Sequence, residues 1–408
     1  MGHGHSHRAD RSSQEFEVAR APRIALLSAL AAVGVAALVG LLLLWPDGTQ
    51  ADELQGSLGF AGEGVTFPEA VVSEVEPACA DPADERAQCG RIHATVDEGP
   101  YRGTDVVVDV PPQVSDSGLG EGDRIELVSH PEQPDGSGGR FAYFGTDRST
   151  PLWTLLIAFV VVVVAIARLR GVMALLGLGF ASAVVFVFAL PALLTGEPGI
   201  AVALVAATVI MYVVLYTTHG FSIRTSTALA GTLAGLGITA LVGWWAVRAT
   251  HLSGITGEGG GVLTTYAPGV SFQGLLTAAV IIAGLGVLND VTITQSSAVW
   301  ELRAASPTMS RAEIFTSGMR IGRDHIASTI YTIVFAYAGT ALVLLLVLQL
   351  YDRSTVELLG TEEISQEIVR SLVSSIGLVL AVPLTTAIAA LTVPGAAVTL
   401  EPARSSGG

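Results

Sequence analysis

The sequence predicts an α-helical polytopic membrane protein of about eight transmembrane helices, with a small extracytoplasmic all-β domain of the OB or SH3-like kind. Three observations lead there. Half of the 408 residues are apolar and only 14% are charged, and the mean hydropathy is +0.59, far from soluble globular usage. Several windows exceed the run of about 18 apolar residues that crosses a hydrocarbon core. The net charge of −15 sits in one place, because Asp47–Thr150 carries 21 Asp or Glu against 6 Arg.

Taken in order, residues 1–23 read as a cytoplasmic tail and 24–45 as a membrane anchor. The apolar core of that anchor is too long for a cleavable signal. Residues 46–150 form the acidic β-domain, 151–393 a seven-helix membrane domain and 394–408 a cytoplasmic tail. The apolar windows are Ile24–Trp45, Leu152–Ala167, Val172–Leu194, Ile200–Tyr216, Ala228–Val247, Phe272–Leu288, Ile326–Leu350 and Leu372–Val393. Within the acidic segment, strand-like runs at Ala70–Val75, Arg91–Val96, Thr104–Val110, Asp123–Val128 and Arg140–Phe144 are divided by Gly, Pro and Asp turns. Cys79 and Cys89 both fall here, where a disulfide is expected.

Arginine placement orients the chain. With the N-terminus inside, the cytoplasmic pieces carry most of the Arg, while the short outside loops hold only Arg248, Arg353 and Arg370. Both termini are therefore expected in the cytoplasm. The acidic segment is expected outside, where its charge argues against nucleic acid as a partner.

Candidate chemistry concentrates after Gly284. Asp290, Thr294, Ser297 and Glu301 share one helical face, which continues backwards through the small residues Gly286, Ala283 and Ala279. An ionisable residue in a membrane helix marks a bundle interior or a water-filled path. The competing reading ends the helix at Asn289 and leaves Asp290 solvated. A matching face on the next span holds His325, Thr329, Thr332, Ala336 and Gly339, just after the Gly322–His325 turn with Arg323 and Asp324. The two threonines can equally bond their own helix carbonyls. Ser310-Arg311-Ala312-Glu313 is a capping box for a short amphipathic helix to about Met319. Gly257–Leu263 reads as a glycine-rich loop, and Gly231-x-x-x-Gly235 as a helix-packing motif. The alternating His3, His5 and His7 read first as a solvated tail. No metal-ligand set, cofactor motif or catalytic constellation appears, so an enzyme is not expected.

The stretches GVLNDVTITQSSAVWEL at Gly286–Leu302 and GRDHIASTIYTIVFAYAG at Gly322–Gly339 resemble the signature region of the YibE/F-like family of bacterial multi-pass membrane proteins. The resemblance implies an inner-membrane location and a permease-like role, with no catalytic residue to carry over. It adds weight to Asn289, Asp290, Arg323 and Asp324. The expectation is a transporter-like protein for an unknown small solute or ion, with a proton- or cation-linked acidic site near the cytoplasmic face. The alternative is a non-transporting envelope scaffold or sensor whose β-domain binds a protein partner.

Overall fold

The computed structural model describes residues 20–50, 64–77, 90–130, 141–350 and 354–396. Cys79, Cys89 and the histidine tail lie outside them. The chain divides into two units, one of Leu54–Arg168 and one of Met1–Glu53 with Leu169–Gly408.

In the first unit five antiparallel strands, β1 (Glu69–Glu76), β2 (Arg91–Val96), β3 (Asp105–Asp109), β4 (Arg124–Ser129) and β5 (Phe141–Thr146), form one sheet in the order β3-β2-β1-β4-β5. Each matches an expected run to within two residues at either end. The alternation of their side chains sends Ala70, Val72, Ile92, Ala94, Val106, Val108, Ile125 and Leu127 into one core. A bulge between Val72 and Glu74 and another between Glu126 and Leu127 curl the sheet into a half-barrel. A single helical turn at Pro112–Ser115 lies between β3 and β4. Cross-strand ion pairs such as Arg124 with Glu69 at 2.8 Å lie on the exposed face.

The second unit begins with α1 (Arg20–Leu43). The helical run α3 (Ser149–Leu194; α2 is the Pro112–Ser115 turn) starts in the first unit and ends in the second. Next come α4 (Gly199–His219), α5 (Ile223–Ala249), α6 (Gly257–Tyr266), α7 (Phe272–Ala305) and α8 (Arg311–Thr340). The chain closes with α9 (Leu342–Gln349), α10 (Thr355–Leu359) and α11 (Glu362–Thr392). Among the described residues six helices are long and apolar enough to cross a membrane, and α8 with α9, bent by 63°, makes a seventh candidate. All eight apolar windows are helical. Two of them share α3, whose backbone leaves helical geometry at Arg168.

The bundle is built around α5, α7 and α11, which pack most closely of all its helices. Their contact faces lack side-chain bulk. A Cβ at Gly231 would fall onto the Thr385 hydroxyl, and one at Gly377 onto that of Thr239. One at Gly235 would meet Ala381 and Leu288, each at 2.9 Å. The sequence motif is thus a true packing surface. The first helix is more than an anchor, because Gly40 lies against Val205 of α4 and the Tyr212 hydroxyl of α4 donates to the Leu30 carbonyl.

Three expectations need correcting. The capping box at Ser310 forms, with Glu313 N on Ser310 Oγ at 3.2 Å and Ser310 N on a Glu313 oxygen at 2.7 Å. The helix it opens does not stop near Met319, however, but runs on to Thr340. Gly322–His325 is therefore helix, not turn, because buried Gly318 and Gly322 let it pack without a break against Val299, Val382 and Gln295. The glycine-rich loop at Gly257 is the helix α6.

The packing makes a testable contrast. Gly231→Ala and Gly377→Ala should each destabilise the detergent-solubilised protein by about 1–3 kcal/mol, since overpacking forces stiff threonines off their rotamers. Gly237→Ala, with nothing within 4 Å, should be neutral or slightly stabilising by helix propensity. Thermal unfolding of the three variants checks this.

Candidate functional site

Helix register sets the depth of each residue. Gly235 of α5, near the middle of its apolar window, packs on Leu288 of α7 and Ala381 of α11. Gly318 and Gly322 of α8 pack on Gln295 of α7. Counting along the antiparallel α7–α8 pair from these contacts puts Asn289 and Asp290 level with His325 and Ile326, within about 5 Å of the bundle's mid-depth at 1.5 Å per residue. Asp290 was expected near one edge. It sits close to the centre instead, because the apolar window Phe272–Leu288 is only the first half of the buried helix.

The faces differ from expectation too. Val291, Thr292, Gln295, Ser296 and Val299 form the buried side of α7, whereas Asp290, Thr294 and Glu301 are exposed and Ser297 half-buried. The small residues Ala283 and Gly286 are also exposed, so this stripe does not line the bundle interior. On α8, Arg323 and Asp324 are exposed, and His325 and Thr329 half-buried. Thr329 Oγ1 donates to the His325 carbonyl at 2.8 Å, and Thr332 Oγ1 to that of Ser328 at 3.3 Å, the back-bonding reading. Glu301 approaches Arg224 at 4.0 Å. Two polar atoms at this depth, Asn289 Oδ1 and His325 Nε2, are buried without a hydrogen-bond partner.

Sequence reading missed a neighbouring site. A cavity of about 590 Å³ lies between α7, α8 and α11, with Ala283, Val287, Ile333 and Ala336 on its apolar wall. Its polar wall is α11, with Glu363, Glu367, Arg370 and Ser374. Arg370 Nη1 donates to Glu367 Oε1 at 2.9 Å, and both side chains are about a quarter exposed. Glu367 Oε2, Arg370 Nε and Ser374 Oγ have no partner. A clamp holds the rim, where Glu362 Oε1 accepts from Ser253 N, Ser253 Oγ, Gly254 N and Gln366 Nε2 at 2.8–3.0 Å. Gly254 has φ 82° and its Cα faces the Phe272 carbonyl so closely that no Cβ fits. The i, i+4, i+7, i+11 spacing of Glu363, Glu367, Arg370 and Ser374 was the available signal, obscured because the acidic run before Leu372 reads as an exterior loop. Thr332 is the one expected site residue that lines this cavity.

The β unit holds a separate polar cleft of about 560 Å³ lined by Asp123, Arg124, Asp147 and Arg148 among others. The Ser149 backbone N–H and hydroxyl hold the Asp147 carboxyl below its usual range, and hydrogen bonding to Glu69 raises the Arg124 guanidinium.

Several helices long and apolar enough to cross a membrane, in a chain that also carries a small antiparallel half-barrel sheet, are compatible with a membrane protein. The chain belongs to the YibE/F-like family, whose model, described as YibE/F-like protein, matches residues 155–395. No curated protein and no solved structure matches it.

The unpartnered groups give a stability test. Ser374→Ala should be neutral or stabilising by up to about 1 kcal/mol, because it deletes a buried hydroxyl that has no partner. Glu367→Ala should cost about 2–4 kcal/mol by stranding the Arg370 charge. Chemical unfolding in one detergent compares the two.

Proposed function

We propose that this chain is a transporter-like protein of the bacterial inner membrane, moving a small solute or ion in a proton- or cation-linked way. The observation that carries the reading is the cavity: its floor on α7, Val287, lies one helical turn from Asp290, at mid-depth. Binding and coupling sites of transporters sit near that depth, and a carboxylate held there is costly unless water or a partner reaches it. Asp290 is the coupling carboxylate in this reading, at the middle of the membrane and not its cytoplasmic edge. Glu367 and Arg370 stand on the polar wall of the cavity, where the guanidinium is placed to meet an anionic or polar solute.

Eight spans follow if α3 crosses twice. Its 46 residues would measure about 69 Å as one rod, more than twice a hydrocarbon core, and the break at Arg168 divides it into two lengths that fit. Arginine placement supports cytoplasmic termini, which puts the β unit and the cavity mouth outside. The strand order, with a helical turn between β3 and β4, supports an OB-type barrel. The polar cleft of the β unit favours the second reading, a scaffold or sensor that binds an envelope protein there.

Flux into proteoliposomes under an imposed pH gradient separates the two. A screen of ions and small metabolites should find one whose uptake falls at least about tenfold in Asp290→Asn and in Ala336→Trp, equal to ~1.4 kcal/mol on the barrier. Both variants should insert normally, and flux should persist without residues 54–147. Wild-type flux in both variants sinks the transport reading, and function lost only with the β unit favours the scaffold.

A further inference from the structure

At the far end of α7 lies a cationic cluster that the transport reading does not use. Arg303 is 2% exposed, the largest fully buried side chain among the described residues. Its Nη1 donates to the carbonyls of Pro307 at 3.0 Å and Met309 at 2.8 Å, in the turn before α8. That leaves its Nε and Nη2 buried with no acceptor. Arg311, the first residue of α8, is near enough for its charge to act on Arg303, and its Nε is likewise buried and unpartnered. Trp300 lies one turn before Arg303 on the same face and packs with Ile314, Ala389 and Val393; its Nε1 has no acceptor either.

Four buried N–H donors thus gather on two guanidinium groups and an indole, and no ion pair joins either arginine to a carboxylate among the described residues. Of the two acids nearest in sequence, Glu301, two residues before Arg303, approaches Arg224 at 4.0 Å, and Glu313, two after Arg311, is engaged by the Ser310 backbone. Burying a guanidinium without an anion costs several kcal/mol, so the cluster is complete only with an acceptor of matching charge. A phosphate accepts guanidinium forks bidentately, through two charged oxygens in a phosphodiester and through three or more in free phosphate. The N-terminus of α8 adds its own partial positive charge at the same place.

We propose that Trp300, Arg303 and Arg311 form a phosphate-binding site, taking either a phospholipid headgroup or free phosphate. Depth favours the lipid source. Arg303 lies about 23 Å along α7 from Leu288 at 1.5 Å per residue, the level of headgroup phosphates in a bilayer about 40–45 Å thick overall. This step rests on the membrane reading, though not on transport. The entry is the Ser306–Met309 turn, where Thr308 is exposed.

The test uses the full chain in nanodiscs of pure phosphatidylcholine or with phosphatidylglycerol added, with and without inorganic phosphate, read by thermal unfolding and by native mass spectrometry of retained lipid. Phosphatidylglycerol should raise the melting temperature and be retained by the wild type, and both effects should shrink at least about tenfold in Arg311→Gln, a half-exposed position whose change leaves the buried packing intact. Arg303→Gln should do the same if it folds. Stabilisation of the wild type by inorganic phosphate in phosphatidylcholine alone identifies free phosphate as the ligand and supports the site equally. The proposal is overturned if neither source stabilises the wild type more than Arg311→Gln, or if the exposed control Arg320→Gln loses as much. A flux result of either sign leaves this outcome unchanged, so the two readings fail separately.

Discussion

The close approach of α5, α7 and α11 at positions without side-chain bulk is the constraint on which the helical unit depends. Helices in hydrocarbon gain nothing from burying leucine against leucine, since lipid is as apolar as the side chain. Contact must come from fit. Gly231 and Gly377 each accept a threonine of the facing helix, in a reciprocal pattern centred on Gly235 and Ala381. Once these are seated, no slip along the axes is open, and the depth of every other residue is set.

That fixed register decides what the interior polar groups do. Gln295 donates to both the Gly318 carbonyl and Thr386 Oγ1 at 2.8 Å, and Thr232 meets Thr292 at 2.6 Å. These groups are satisfied and cement α5, α7, α8 and α11 to one another. Asn289, His325, Glu367, Arg370 and Ser374 keep polar atoms unpartnered under the same packing. A bundle able to pair Gln295 twice is not short of geometry, yet this set stays unpaired among the described residues.

Much of this was legible in the sequence, for reasons that differ by element. Strand alternation located all five strands, since a two-residue period leaves little freedom in which side chain faces the core. Apolar length located the long apolar helices, though not that two of the windows share α3. The capping box placed the start of α8 to the residue. What could not be read was anything set by register between helices. The stripe from Ala283 to Glu301 is real as a face, yet the opposite face, with Gln295 and Ser296, is the one buried. Small residues occur on both, and only the glycine contacts decide between them. Glu367 and Arg370 were hidden for a related reason, because charge next to an apolar window reads as loop until a helix is seen to continue through it.

The outward face of α7 and α8 then takes on a different meaning. Asp290, Arg323 and Asp324 all lie on exposed surface, and register puts them within the central part of the bundle. Lipid does not tolerate such a face: each charge at mid-depth costs at least about 2.5–3.5 kcal/mol against hydrocarbon. Arg323 and Asp324 adjoin on α8 but point to different sides of it, so they do not neutralise one another. The cavity wall formed by Ala283, Val287, Thr332 and Ala336 adjoins this surface on the same two helices. Water continuous along that groove would solvate the charges and join them to the cavity, with Val287 and Ile333 as the apolar step between. In the transport reading the physical cost of an exposed carboxylate at that depth, more than any motif, is what ties Asp290 to the cavity, with the α7–α8 groove as the proposed working face.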